Sequence, residues 1–194
     1  MLINEAGLVR TIKRAYKTGG YVVVNEGDTL HVFTDEWYMQ TSNALFPRKA
    51  LALIVEHSGM IPEANVPTKI EKGEEPQVVM DETIRDEMTH WRTGERGEDV
   101  TMTPVIILGY QIYQPPGGGG CYGLPLECLE MMERDAAEHA AGEVVDGCRL
   151  LWKSDGEALV IGAVRKTKSS WAKEWEKKVW AAMEGLDLHR EGQA

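Results

Sequence analysis

The chain has 194 residues, 31 Asp and Glu against 21 Lys and Arg for a net charge of −10, 43 % hydrophobic residues, 20 Gly, 8 Pro and 3 Cys. Such a length fits one domain or two small ones, and a globular chain of this size buries about 70 % of its unfolded surface, enough for a core without metals or disulfides. Composition excludes collagen-like, coiled-coil, disulfide-scaffold, disordered and membrane-spanning chains.

From Ile3 or Asn4 to Lys17 the spacing is helical. Leu2, Leu8, Val9, Ile12, Ala15 and Tyr16 share one face, Arg10, Lys13, Arg14 and Lys17 the other, and Gly19 and Gly20 stop the helix. β-Branched runs at 21–24 and 29–34 flank Asn25-Glu26-Gly27-Asp28, a hairpin signature, and residues 37–41 add a third strand. Pro47 opens a second helix with Leu51, Ile54, Val55 and Ser58 on its inner face and Gly59 at its end. Residues 60–77, with Pro62, Pro67 and Pro76, form the best linker, with room for a short strand at 68–70. Met80, Ile84, Met88 and Trp91 predict an acidic amphipathic helix, followed by a polar loop over 93–99.

Residues 104–113 are the most strand-like run, apolar enough on both faces to be central in a sheet. Pro115, Pro116 and the glycines that follow break it. Pro125 then opens a helix with Leu126, Leu129, Met132, Ala136 and Ala140 on one face, ended by Gly142. Runs at 148–153 and 157–165 flank Ser154-Asp155-Gly156, the strongest hairpin signal in the chain. The last helix runs from Ser169 or Ser170 to Glu184, with Trp171, Trp175, Val179, Ala182 and Met183 as its core face and Trp180 on the opposite side.

The predicted class is α+β, with largely antiparallel sheet from hairpins 21–34 and 148–164 packed against four to five helices. One domain over 1–194 is expected, subdividing at most into 1–60 and 77–185 about a Pro-rich and charged linker at 61–76. Both ends read helix, hairpin, helix, but no residues align across them and the recurrence reads as chance.

Four candidate sites emerge. The loop 115–123 holds Gly117, Gly118, Gly119 and Gly120 followed by Cys121 and Tyr122; it lacks the Lys and Ser or Thr of a phosphate loop and the spacing of a dinucleotide fingerprint. It reads as a flexible connection, or as a binding loop for a partner. Cys121, just before a predicted helix N-terminus, is the one nucleophile candidate, although no pattern ties any of the five histidines to it. Cys121, Cys128, His139 and Cys148 lie seven, eleven and nine residues apart, unlike zinc ligands, so neither metal nor cofactor is expected. Glu133 stands awkwardly within an apolar helical face, and Trp180 is a candidate interface residue.

The acidic balance argues against direct nucleic-acid binding, which depends on clustered Lys and Arg neutralising phosphates. Asn4 and Glu5 interrupt what a secretory signal would need, and 3 Cys suit a reducing compartment, so a cytoplasmic protein free of the membrane is expected. The function read from these features is a non-enzymatic protein-interaction module, self-association included, that presents a surface made of Trp180, the four glycines and Tyr122. Two alternatives stand beside it: a thiol-dependent hydrolase or transferase using Cys121, and an acidic inhibitor that imitates nucleic acid.

Overall fold

A computed structural model describes residues 1–79, 96–145 and 147–189, the side chain of Arg96 excepted. The helix expected on Met80, Ile84, Met88 and Trp91 lies outside the described residues. Eleven strands, each antiparallel to its neighbours, form one sheet, accompanied by five α-helices among the described residues.

The first half follows local chemistry closely. Helix α1 (Glu5–Thr18) begins at Asn4, whose side chain accepts the Gly7 N–H at 2.8 Å, and presents Leu8, Ile12 and Ala15 inward. Strands β1 (Tyr21–Asn25), β2 (Thr29–Phe33) and β3 (Trp37–Ser42) form a meander, and α2 (Arg48–Ser58) ends at Gly59 in the left-handed conformation. The buried face of α2 is Ala50, Leu53 and Ile54; Ile54 lies inside as expected, while Leu51, Val55 and Ser58 of the expected face are only half-buried. Within 60–77, β4 (Thr68–Ile70) pairs with β1, and β5 (Gln77–Val78) pairs with β4 in turn.

The middle departs from expectation. Strand β6 (Arg96–Ile107) takes in half of the predicted polar loop, and β7 (Tyr110–Gln114) turns back along it after Leu108, at φ 52, and Gly109, at φ 81. The run 104–113 is thus a hairpin rather than one central strand, and its Ile106 is 60 % exposed. Strand β8 (Tyr122–Pro125) pairs with β7 at the end of the sheet. The single helix expected after Pro125 is two, α3 (Leu126–Leu129) and α4 (Arg134–His139). Between them the chain bridges to the N-terminus through Asn4 N–H to Met131 O and Glu133 N–H to Leu2 O, both 2.8 Å. Strands β9 (Gly142–Val145), β10 (Arg149–Ser154) and β11 (Glu157–Gly162) form a second meander, and α5 (Glu174–Glu184) closes the described chain.

The strand order is β5-β4-β1-β2-β3-β11-β10-β9-β6-β7-β8. The hairpins β2–β3 and β10–β11 share one register: the pairs Thr29↔Ser42 and Val32↔Met39 recur as Arg149↔Gly162 and Trp152↔Leu159, every number raised by 120, whereas β9 pairs with β10 one residue out of step with β1 and β2, Val24 facing His31 but Val144 facing Leu150. The meanders join antiparallel through β3 and β11, with Met39 opposite its own equivalent, Leu159, so a local two-fold axis passes between these residues. Raised by 120, α1 falls on the segment of α3 and α4, and the two run antiparallel: Arg10 pairs with Glu130 at 2.8 Å and Arg14 with Glu127 at 2.6 Å. Gly7 permits their closest approach, since a Cβ there would stand 1.6 Å from Glu130 O. The helix–hairpin recurrence is therefore geometric, although few residues betray it.

Alternate strand residues face opposite sides, as a period of two requires. Tyr21, Val23, Leu30, Val32, Met39, Leu150, Trp152, Leu159 and Ile161 build the main core with α1, α2, α3 and α4. Val24, Phe33, Tyr38, Val145, Leu151 and Val160 form a second cluster. Beyond β11 the chain meets the far edge of the sheet, where Val164 and Gly123 exchange N–H···O bonds of 2.8 and 2.9 Å. The last six strands in the order thereby curl back on themselves.

Candidate functional site

The segment after β11 packs against β6, β7 and β8; it carries Trp180, while the other residues that sequence reasoning singled out, the four glycines, Cys121 and Tyr122, lie between β7 and β8 or at the start of β8. Trp180, Met183, Ile112 and Cys121 form a third apolar cluster, bordered by Val105, Ile107, Tyr110, Val179 and Leu188. Trp180 is fully buried, whereas Trp171 is 67 % and Trp175 49 % exposed. Met183 and Val179 of the expected core face do pack inward, but Trp171 and Trp175 have exchanged places with Trp180, which presents no surface to a partner. The physical reason lies in two ion pairs. Glu176 and Glu184 flank Trp180 on the packed side of α5, where Lys166 (3.8 Å) and Arg165 (3.3 Å) meet them. Carboxylates satisfied in this way rotate the apolar face away from the one hydrophobicity alone selects. The helix also starts later than expected, at Glu174 with Lys173 at its N-cap, so Trp171 lies on a turn.

Lys166 is buried, with its ammonium 3.9 Å from the Trp171 ring and 5.6 Å from that of Tyr110. The Arg165 guanidinium lies 4.9 Å from the ring of Tyr122, whose hydroxyl donates to Glu98 Oε1 at 3.0 Å. Tyr122 is consequently buried, not offered to solvent.

The glycine loop is anchored by the same segment. Gly117, Gly118 and Gly119 have φ of 93, 96 and 115, a region that favours glycine. Gln114, fully buried at the loop's entrance, donates from Nε2 to Leu186 O and accepts the Leu188 N–H at Oε1, both at 2.9 Å. His189 Nε2 stands 3.1 Å from the Gln114 carbonyl oxygen. A Cβ on Gly118 would lie 3.2 Å from Leu186 O, so the chain's own end covers that glycine, while Gly117 and Gly119 stay exposed. Sequence reasoning missed Gln114; its signal is one uncharged amide closing an apolar run just before Pro115.

Cys121 precedes a strand, not a helix, so no helix terminus lowers its pKa. Burial pushes its thiol up to about 11, with Glu184 adding to the shift and the Gln114 amide and Arg165 opposing it. Burial likewise raises Cys128 to about 12, and Cys148 is exposed. Cys128 packs in the main core, His139 sits on the exposed side of α4 and pairs with Asp135, and these residues do not gather with Cys121 or Cys148. Among the described residues no three of His, Cys, Asp and Glu are placed to hold a metal ion. Glu133 resolves as the residue that opens α4, accepting from Asn4 Nδ2 at 3.1 Å.

Imidazoles are used structurally elsewhere. His31 is fully buried, with Nδ1 2.7 Å from the Tyr38 hydroxyl and Nε2 3.3 Å from Glu26. His57 stacks on Tyr16 at 3.7 Å, and burial lowers its pKa.

Two clefts are relevant. One of about 540 Å³ lies beside the end of α1 and is lined by charges of both signs, including Arg14, Asp35, Glu36 and Lys69. The other, about 400 Å³, opens between the start of β10 and the 3-10 turn Lys166–Lys168; Cys148, Arg165, Lys168, Ser169, Ser170 and Trp171 line it. No helix among the described residues is long and apolar enough to cross a membrane. No family model matches the chain, and no curated protein matches it.

Proposed function

We propose that this chain is a non-enzymatic protein-interaction module of the cytoplasm, and that its contact surface is the shoulder formed by Trp171 and Trp175. One observation carries the reading: two tryptophans four positions apart, 67 % and 49 % exposed, stand on a segment that is otherwise firmly bound to the sheet. Tryptophan is the residue most enriched at interface hot spots, and leaving two in water is unusual unless something covers them. Exposed Lys168, Lys173 and Lys178 lie close to the pair in sequence, with one exposed carboxylate, Glu174, among them, against the net charge of −10 for the whole chain. This charge favours an acidic protein segment with an apolar side chain as the partner, and a second copy of this chain meets that description. Direct nucleic-acid binding and membrane attachment form no part of the proposal.

The experiment compares parent protein with Trp171→Ala/Trp175→Ala. Capture from the native host's lysate and mass by light scattering are measured on both, with circular dichroism to confirm that both fold. The proposal expects a captured protein or a self-associated mass in the parent and its loss in the variant. Identical capture and identical mass in the two would end it.

A further inference from the structure

We infer that the tip of the β6–β7 hairpin continues the Trp171 and Trp175 shoulder, and that together they form the contact by which two copies of this chain pair; the inference rests on the shoulder being an interaction surface. Leu108 and Gly109 are the two central residues of this hairpin, bounded by the pair Ile107↔Tyr110, and both have positive φ, 52 and 81. Such a turn suits Asn-Gly, because asparagine enters the left-handed region with little strain and leucine does not. Leu108 therefore holds an unfavourable backbone, and 51 % of the residue is nonetheless left in water. Ile106 close by is 60 % exposed, and Leu126, whose N–H donates to Gly109 O at 3.1 Å, adds a third open aliphatic side chain. Backbone strain kept at an exposed apolar position calls for a contact outside the fold.

Tip and shoulder are continuous. Tyr110 closes the turn that holds Leu108, and the Lys166 ammonium touches both the Tyr110 ring at 5.6 Å and the Trp171 ring at 3.9 Å. Charge selects the occupant. At a net charge of −10, two copies repel wherever their acidic surfaces meet. From Val100 to Leu126 the chain carries no charged residue, and the carboxylate that follows, Glu127, is held by Arg14 at 2.6 Å. A contact centred on this uncharged hairpin avoids the repulsion, and Lys168, Lys173 and Lys178 at its rim meet the excess acidity of the other copy. Area agrees with a pair. Ile106, Leu108, Leu126, Trp171 and Trp175 leave on the order of 600 Å² exposed in each copy, as much as the largest apolar patch of an ordinary monomer. Two such faces bury about 1,200 Å², where stable specific interfaces begin.

Sedimentation velocity of the full chain over a concentration series tests the inference, with urea unfolding at a dilution where the parent is monomeric. The parent should pass from monomer to dimer as concentration rises. Leu108→Asn should weaken the dimer about tenfold or more and raise the urea midpoint of the monomer, because it removes apolar contact and backbone strain together. Ile106→Lys should abolish the dimer with circular dichroism unchanged, whereas Leu45→Asn, exposed in the loop after β3, should leave association as it was. A parent that stays monomeric at every concentration overturns the inference. So does a dimer that Leu108→Asn and Ile106→Lys leave intact, or a lowered midpoint in Leu108→Asn, which would make the leucine a structural residue. The shoulder fails or stands separately. A monomeric parent that still captures a host protein through Trp171 and Trp175, or a dimer lost in Trp171→Ala/Trp175→Ala but kept in the hairpin variants, retains the shoulder and ends the role given to the hairpin.

Discussion

The indole of Trp180 lies so close over Gly123 that a methyl group on that glycine would stand 2.4 Å from Cη2. Replacing Gly123 by Ala should therefore destabilise the protein by forcing the indole out of place, at about 1–3 kcal/mol for an overpacked core. Trp180→Ala should cost about 3–5 kcal/mol. Because the worst clash is with the indole, Gly123→Ala introduced into Trp180→Ala should cost much less than in the parent, only the 3.1 Å approach to Tyr110 Cβ remaining. A urea-unfolding double-mutant cycle measures this coupling, and additive effects would contradict the contact.

Gln114 ties the glycine loop to the end of the chain with both ends of its amide. Gln114→Ala leaves the Leu186 carbonyl and the Leu188 N–H without that partner, a loss of about 1–3 kcal/mol confined to this region. Amide hydrogen exchange should then quicken at Leu188 and Gly118, while Val23 and Leu159 keep their protection. Uniform quickening throughout the sheet would mean that Gln114 supports the global fold and not the local clasp.

Thiol chemistry should divide the three cysteines sharply. Cys148 is exposed and should react with a thiol reagent at neutral pH at the rate of a free thiol. Cys121 and Cys128, buried and protonated, should react only after unfolding. One equivalent under native conditions and three in denaturant is the expected count, and fast native labelling of Cys121 would revive the thiol-enzyme reading.

The same burial predicts weakness toward alkali. Cys121 and Cys128 have folded pKa values raised from 9.0 to about 11 and about 12, and Tyr122 from 10.0 to about 12. A group whose pKa is raised on folding contributes its stability in full below the unfolded value and loses it as pH rises through the folded one. The urea midpoint should hold up to about pH 9 and fall steadily above it, and Cys121→Ala should flatten part of that fall. A midpoint independent of pH up to about 11 would contradict the buried thiols.

How far the fold was legible depended on where its determinants lay. The turns at Gly27 and Gly156 act within a few residues and stand as the residues predict, and the first helix starts within two residues of its expected beginning, at the equally local cap of Asn4. Leu108 at φ 52 offers no turn signature, because leucine rarely adopts that conformation, and so one hairpin passed for one strand. The break between α3 and α4 depends on backbone bonds to Leu2 and Asn4, more than a hundred positions away. The candidate site suffered most. Its helix face was set by Lys166 and Arg165 reaching Glu176 and Glu184, pairings that no periodicity reveals. Counting apolar positions therefore placed Trp171 inside and Trp180 outside, the reverse of their positions.

The seam between β3 and β11 has a consequence for how the chain is made. It pairs Thr41 with Glu157 and Trp37 with Ile161, residues 116 and 124 positions apart. Loop-closure entropy grows only slowly with length, so this distance weighs more on the rate of folding than on final stability. A ribosome adding roughly 5–20 residues per second would complete the first meander on the order of 10 s before β11 exists. During that interval β3 is a bare edge whose natural neighbour, β11, belongs to a hairpin of the same register as β2 and β3. Two nascent chains on one message could then join β3 to β3, and the time taken to translate the middle of the chain sets how long that error remains open.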